Sequence, residues 1–427
     1  VENYQVTRKE WLEALKQNAS PDIDECIYYL GNVCSLLGSL KDTPQDPEWH
    51  GEGDVYIHTK MVLEELYVLL DSDAAHITGE KRQALILGAL FHDIGKPLSV
   101  REREIREVRR IVSPQHEAIG RSYLTFLLPE IELSYSVIYQ VMGLVGEHHR
   151  PKLLMVRNHS AGDFWQLSRC VDIELVYWLE VADMRGRICS DIKSQLMHLE
   201  EFKLFSTEYG VWQKDIHRSW QQQLESSLIS LSADSRDYVY SHAVSGMERG
   251  FISTVDEAIA ITYQRRNSFA ELVVLCGPSG SGKSTWVRQQ GLNYQVISLD
   301  EIRREINGNA ASQANTGKVL HLAKDRLKAC LRKGINVIWD ATNLRYDFRK
   351  VVCDIGKDYH ALVTLVVFQA PYSKICQSNR SRVLAVPDKV LAKQFASYQW
   401  PTPDEVHRYC IVNAQGQVLL KHGYFSE

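Results

Sequence analysis

Directly behind the apolar stretch Leu272 to Cys276, the sequence reads Gly277, Pro278, Ser279, Gly280, Ser281, Gly282, Lys283, Ser284, Thr285. Glycines at this spacing let successive backbone amides turn toward phosphate oxygens. Lys283 can neutralise β and γ phosphates, and the Ser284 hydroxyl can hold magnesium at a helix N-terminus. The run satisfies the P-loop pattern, and the strand before it is the context that pattern requires. It implies ATP, or another nucleoside triphosphate, with Mg2+, cradled by Gly277, Ser279, Gly280, Ser281, Gly282, Lys283, Ser284 and Thr285. It also commits this part of the chain to a fold. Short β-rich runs at Leu272 to Cys276, Val296 to Leu299, Ile335 to Trp339 and Leu362 to Phe368 alternate with helical segments, the grammar of a parallel sheet covered by helices.

The rest of the chain reads differently. Residues 55 to 200 form successive amphipathic helices, for example Val55 through Leu70, with no convincing strand among them. Residues 205 to 268 are polar, rich in Gln and Ser, and read as a helical connecting module. The 427 residues exceed what one hydrophobic core usually serves, so we expect an all-α domain over 1–204, the connecting module over 205–268 and an α/β domain over 269–427. From Phe269 onward there are 21 Lys plus Arg against 13 Asp plus Glu, a balance of +8, which leaves −12 for the residues before it. A polyanionic substrate is therefore attracted chiefly by the C-terminal part. Nine cysteines lie singly, with no signal peptide or span-length apolar run, so we expect a reducing, cytoplasmic setting and no membrane partner.

A P-loop specifies a nucleotide; its phosphate acceptor has to be read farther along. Asp300 closes the second strand and so falls at the carboxyl edge of the sheet, where open α/β folds bind ligands. There it can act as general base. Arg303, one helical turn later, can share a cleft with Asp300 and contact an acceptor phosphate. Asp340 closes the third strand and leads into Ala341, Thr342, Asn343 and Leu344. Transfer also calls for lid arginines over the ATP phosphates, and Arg380 and Arg382 are the candidates. A single charged residue at the end of an element is more often a cap or a surface ion pair. Behind a valid P-loop, the group reads as a site.

The N-terminal part carries other chemistry. His92 and Asp93 are adjacent at the end of the apolar helix Leu85 to Phe91, which Gly95 and Pro97 stop. His58 shares a stripe with Met61, Val62 and Leu66, and Asp183 is in register with Val176 and Leu179, so both face a core. These four suit a divalent transition metal, since imidazole and carboxylate both ligate such ions. His116 with Glu117, and His148 with His149, could complete a second metal site. Periodicity places both His148 and His149 on apolar stripes and does not choose between them. Lys96 either adds positive charge toward a phosphate or is solvated. One buried histidine alone is usually a hydrogen-bonded core residue; several such groups in order are not.

Asp300, Arg303 and the run Asp340 to Leu344, behind the P-loop, resemble the phage-type 5'-OH polynucleotide kinases, whose acceptor site uses a post-strand Asp, an Arg three later and an Asp-x-Thr-Asn-Leu segment. The resemblance implies that Asp300 deprotonates the 5'-hydroxyl, that Arg303 grips the adjacent 3'-phosphate, and that Asp340 and Asn343 support the acceptor pocket. Ala385, Val386 and Pro387 resemble the end of that family's lid, at a spacing one residue shorter, which leaves Arg380 and Arg382 both open for the γ-phosphate. The order His58, His92 with Asp93, His116, His148 or His149, then Asp183 resembles the HD phosphohydrolase superfamily. The runs Trp49 to Thr59, Phe91 to Pro97 and Ala182 to Arg187 are similar to the HD domain of bacterial CCA-adding tRNA nucleotidyltransferases. No nucleotidyltransferase segment is expected ahead of them, so that activity is not carried over.

As a whole the chain resembles the bacterial HD-polynucleotide kinase enzymes of RNA repair. The resemblance implies two activities: phosphorylation of 5'-OH ends, and removal of 3'-phosphate or 2',3'-cyclic phosphate with Asp93 in the catalytic centre. The second would use one or two divalent ions of Mn, Ni, Co, Zn or Fe. It further implies RNA ends, or DNA ends, as substrate and cooperation with a separate RNA ligase. Two other readings compete: a small-molecule or nucleoside kinase fused to an HD nucleotidase, which would leave Arg303 no phosphate to grip, and an ATP-sensing binding module with a structural metal.

Overall fold

Asp54 opens the helix that periodicity predicts: its carboxylate accepts from Ile57 N at 2.9 Å, and the helix runs Val55–Leu70 with His58, Val62, Leu66 and Leu69 buried. The computed structural model describes residues 6–290, 293–309, 314–382 and 384–423, in two compact units, Val1–Ile216 and His217–Glu427.

The first unit is built around two helices that water does not reach. Gly79–Phe91 is buried from Arg82 onward, and Ile173–Arg185 is buried from Ile173 through Met184. Helices apolar on every side belong at the centre of a bundle. Each therefore carries its polar groups into the interior: His92 caps the end of the first, and Asp183 lies in the second. The helix His116–Leu124 approaches this centre closely because position 95 has no side chain. A Cβ on Gly95 would sit 2.1 Å from the His116 carbonyl oxygen and 2.6 Å from Gly120 N.

The expectation of no strand over 55–200 is wrong. β1 (Arg101–Ile105) and β2 (Val108–Val112) pair antiparallel as a hairpin. Its turn residues Arg106 and Glu107 have φ of 50° and 66°, the positive values that Asn-Gly usually supplies. Without those turn residues, and with charges where a strand normally shows apolar alternation, the hairpin carried no sequence signal.

In the second unit, β3 (Glu271–Cys276), β4 (Gln295–Ser298), β5 (Val337–Asp340), β6 (Leu362–Phe368), β7 (Arg408–Val412) and β8 (Val418–His422) form one sheet in the order β4-β5-β3-β6-β7-β8. All pairs are parallel except β7 with β8. Successive connections after β3 run to one side and then to the other, so the P-loop leaves the sheet where strand order reverses, the usual ligand site of an open α/β fold. Strand ends differ slightly from expectation. Leu299 already begins the helix Leu299–Asn307, which puts Asp300 in its first turn, and Asp340 is the last residue of β5. β7 and β8 were not expected; β8 is an edge strand with an exposed Val418 and no clean alternation.

The boundary expected at 204 falls inside the helix Ile192–Glu208, and the break between the units lies at Ile216 and His217. The stretch 205–268 is helical, as expected, but its larger part belongs to the second unit. There Arg408, at the start of β7, pairs with Asp237 and Asp234 on the helix Ala233–Glu248.

Arg349 is the other fastening of this unit. Fully buried on the helix Tyr346–Asp358, it grips both Glu405 carboxylate oxygens at 2.9 and 3.0 Å and donates to the carbonyls of Asn343 at 3.1 Å and Leu344 at 3.0 Å. Removing one partner of such a pair leaves a buried charge uncompensated. Arg349→Ala should lower the stability of the second unit by about 3–5 kcal/mol. The measurement is a urea titration with a probe in each unit; an unshifted second-unit midpoint would contradict this account.

Candidate active sites

The first unit gathers every histidine and aspartate expected at its metal site. His58 Nε2 lies 3.3 Å from His92 Nε2, 3.0 Å from Asp183 Oδ1 and 3.6 Å from Asp93 Oδ2. His92 Nε2 is 3.2 Å from the same Asp93 oxygen, and His116 Nε2 is 3.1 Å from the other, Oδ1. The donor atoms of His58, His92 and Asp93 fall within 4.8 Å of one another, and so do those of His116, His148 and His149. Asp93 thus stands between two donor sets, one oxygen toward each. His148 and His149 both fall within the second set, and His149 Nε2 is also 3.9 Å from Asp183 Oδ2.

Ring orientation decides what these groups can do. Nδ1 of His92, His116 and His148 donates to the carbonyls of Ala89, Ser113 and Val145 at 2.7, 2.8 and 2.9 Å. Nδ1 of His149 faces Glu117 Oε1 at 2.9 Å, and that of His58 faces Glu52 Oε1 at 3.0 Å. With the proton held on Nδ1, each Nε2 presents a lone pair to the cavity. The Nε2 atoms of His116, His148 and His149 are buried without a hydrogen-bond partner. Lone pairs facing one another and a carboxylate at such distances call for a cation, and the donor set fits one or two divalent transition ions. The same demand shows in His92: burial pulls its pKa down, yet Asp93 and Asp183 hold it above the ordinary histidine value. Burial and the neighbouring imidazoles push His148 well below that value.

Sequence reasoning left Lys96 between two readings and missed the roles of Glu52 and Arg187. Lys96 is not solvated: it is buried, with Nζ 2.7 Å from Asp93 Oδ2 and donating to Gln45 Oε1 at 2.6 Å. Glu52 accepts from Ile188 N at 2.9 Å and takes His50 as well as His58 on its other oxygen. Burial works to raise its pKa, but those hydrogen bonds hold it far below the usual carboxylate value. Arg187 chelates Asp183, with Nε 2.9 Å from Oδ1. Glu52 and Arg187 lie in the runs Trp49 to Thr59 and Ala182 to Arg187, the one signal that could have found them.

In the second unit the P-loop holds itself closed. Gly280 and Gly282 have φ of +86° and +103°, and a Cβ on Gly282 would meet the Ala414 carbonyl oxygen at 2.8 Å. Lys283 Nζ donates to the carbonyls of Gly277 and Pro278, each at 2.8 Å, and Ser279 N donates to Gln394 Oε1 at 2.7 Å. Ser284 and Thr285 lie in the first turn of the helix Lys283–Gln290, and the buried Ser281 hydroxyl has no hydrogen-bond partner. Burial lowers the Lys283 pKa to about 8, against Asp340 and Asp300, which raise it, while Arg382 adds to the lowering. Asp340 is raised by burial, with Lys283 acting against that and Asp300 reinforcing it. Lys283, Asp300, Asp340 and Arg382 therefore share one electrostatic environment.

Arg303 Nη1 donates to Asp300 Oδ1 at 2.5 Å, while its buried Nε has no hydrogen-bond partner. Asp300 itself is exposed. The Asn343 amide donates to the Leu275 carbonyl at 2.6 Å and accepts from Trp339 Nε1 at 3.3 Å, so the side chain fastens β3 beside the P-loop. Arg380 ends the helix Tyr372–Arg380 and Arg382 follows it, both exposed. Asn379 pins this segment by donating to Val386 O at 2.8 Å and accepting from Val386 N at 3.1 Å.

The HD domain family matches residues 55–183, and the AAA domain family matches residues 272–401. The Multifunctional CCA protein of Pasteurella multocida (strain Pm70) is 29% identical over 98 residues, which are 22% of this chain and 22% of that protein, so the chain spans under a quarter of this curated relative. Among solved structures, the Pnkp1/Rnl/Hen1 complex includes a chain with 25% identity and a TM-score of 0.25, over 28% of this chain and 42% of that one. No helix among the described residues is long and apolar enough to cross a membrane. The chain joins a helical HD domain to an α/β P-loop kinase-like domain, the combination found in HD-polynucleotide kinase fusions.

Proposed function

We propose that this chain heals both termini of a nucleic-acid break: its P-loop domain phosphorylates a 5'-hydroxyl, and its HD domain removes a 3'-phosphate or 2',3'-cyclic phosphate. The observation that carries the reading is the Asp300–Arg303 pair. A carboxylate that can take a hydroxyl proton stands beside a guanidinium, which suits a hydroxyl that has a phosphate next to it along a chain. Free nucleosides lack that phosphate. Broken RNA carries both kinds of end, and a separate RNA ligase would seal the products; DNA ends are the alternative polymer.

In the kinase, Lys283 would leave its own loop carbonyls for the β and γ phosphates of ATP, while Ser284 would hold Mg2+ and the amides of Gly280 to Gly282 would complete the cradle. Asp300 takes the proton of the attacking hydroxyl, and Arg303 exchanges part of its contact with Asp300 for the acceptor phosphate. Arg380 and Arg382, both exposed at the end of the helix Tyr372–Arg380, are the lid candidates for the γ-phosphate. Asn343 fastens the segment after β5 to β3, and Asp340 shapes the field around Lys283.

In the HD domain, His58, His92, Asp93 and Asp183 would hold one divalent ion and His116, His148 and His149 a second, with Asp93 shared. Such ions supply Lewis acidity and lower the pKa of a water at neutral pH. Glu52 and Glu117 hold the His58 and His149 rings in the tautomer that frees Nε2. Lys96 neutralises part of the Asp93 charge and keeps the carboxylate ionised.

Two sites of this kind separate under mutation. Lys283→Ala should cost 5' phosphorylation about 10²–10³-fold and leave 3' dephosphorylation at its wild-type rate. Asp93→Ala should do the reverse, by more than the roughly 10- to 100-fold that outer-shell changes cost a metal site. Each is read on an RNA with 5'-OH and 3'-phosphate ends; loss of both activities from either folded variant overturns the two-site assignment. Chelation should silence both ends of the same RNA. Mg2+ alone should then restore 5' phosphorylation, and a transition ion should be needed for the 3' end. No change at either end with ATP across Mg, Mn, Ni, Co, Zn and Fe would overturn the repair reading.

A further inference from the structure

Between Asp93 and His116, which meet in one cavity, the chain leaves the helical bundle as the β1–β2 hairpin. Period-two alternation sorts its charges. Arg103 stands directly opposite Arg110 in register, so Arg101, Arg103 and Arg110 share one face, while Glu102 and Glu104 lie on the other with Arg109 and Ile111. Like charges directly opposite destabilise a ladder. Arg110 is relieved by Glu48 and by Asp46 Oδ1 at 3.1 Å, and its guanidinium lies 5.2 Å from the centroid of the Trp49 ring. Arg101 and Arg103 are exposed, and neither pairs with an acid among the described residues. Arg109, by contrast, stands directly opposite Glu104 on the other face.

The basic face is anchored to the metal site. Asp46, which also accepts from Ile111 N at 3.2 Å, adjoins Gln45; Gln45 accepts from Lys96, and Lys96 is 2.7 Å from Asp93 Oδ2. Trp49, 44% exposed, immediately precedes His50 in the same loop. Resting on the 3'-end reading above, we propose that Arg101, Arg103 and Trp49 form the track for the single strand just upstream of the 3' end held in the HD cavity. Arg101 and Arg103 lie along backbone phosphates, and the indole stacks on an unpaired base, whose open face a duplex would not offer.

The test is steady-state 3'-phosphate removal by the full-length protein, with its supporting metal, as a function of KCl. An RNA oligonucleotide and p-nitrophenyl phosphate, which has no upstream strand, are compared. Arg101→Ala/Arg103→Ala should lower kcat/KM on the oligonucleotide on the order of tenfold, through KM, and flatten the log–log salt slope by about 1.4, which is ~0.7 for each lost phosphate contact. The small ester should not follow it. Arg101→Lys/Arg103→Lys should keep the wild-type slope, and Trp49→Ala should raise KM for the oligonucleotide without flattening the slope. An alanine variant with the wild-type KM and slope, or one impaired equally on both substrates, overturns the track and leaves the HD assignment standing. If the wild-type protein hydrolyses neither substrate, the HD reading itself falls, and the track with it.

Discussion

Asp93 is a carboxylate in a place where a carboxylate should not survive. It is 1% exposed, and its ring of histidines points lone pairs rather than protons at it. Burial alone would raise its pKa; the electrostatic pull of His92 and Lys96 holds it well below the usual carboxylate range. A buried charge of this kind is tolerated only when it is paired. The first unit is arranged around that requirement: a fully buried helix delivers His92 and Asp93, the bare Cα of Gly95 admits His116, and Lys96 turns inward. The backbone carbonyls of Ala89, Ser113 and Val145 fix the tautomers that leave the centre short of positive charge. The arrangement costs stability unless a cation completes it, which is why the site reads as functional and not as a polar fault in a core.

The second unit depends on the opposite device, an excess of donors. The P-loop lies at the point where strand order reverses, and Lys283 rests on the loop's own carbonyls at 2.8 Å. Positive groups are thus held ready near an open crevice, satisfied weakly enough for a polyphosphate to displace them. The fastenings beneath are strong by contrast. Asn343 ties β3 to the end of β5, and Arg349 with Glu405 locks the segment behind it. Rigidity below the loop and loosely held donors within it together make a preorganised phosphate site.

Legibility in the sequence followed the physics of each signal. Contiguous motifs were readable: the P-loop, the His92–Asp93 pair and the helix Val55–Leu70 each carry their geometry in their spacing. His116, His148 and His149 were readable as candidates only, because one stripe looks like another until helices are packed. The β1–β2 hairpin was invisible, since its turn uses Arg106 and Glu107 where glycine and asparagine would announce it. Asn343 was read by analogy as an acceptor contact; its amide is engaged by Leu275 and Trp339. Those partners depend on which way one side chain turns, and no spacing encodes that. Arg349 and Glu405 lie far apart in sequence and meet only through the fold.

The distribution of charge along the chain follows from these two solutions. Both sites must attract phosphate. The residues from Phe269 onward carry a net +8, which favours a polyanion; the residues before them carry −12, which opposes one. A pocket of carboxylates and neutral imidazoles repels a phosphate until a cation occupies it, so an HD domain in acidic surroundings borrows its positive charge from a metal. Among the described residues, the exposed Arg101 and Arg103 on one face of the hairpin pair with no acid. A metal centre attracts the terminal phosphate and nothing beyond it, so any hold on the strand behind that phosphate has to come from protein cations outside the cavity.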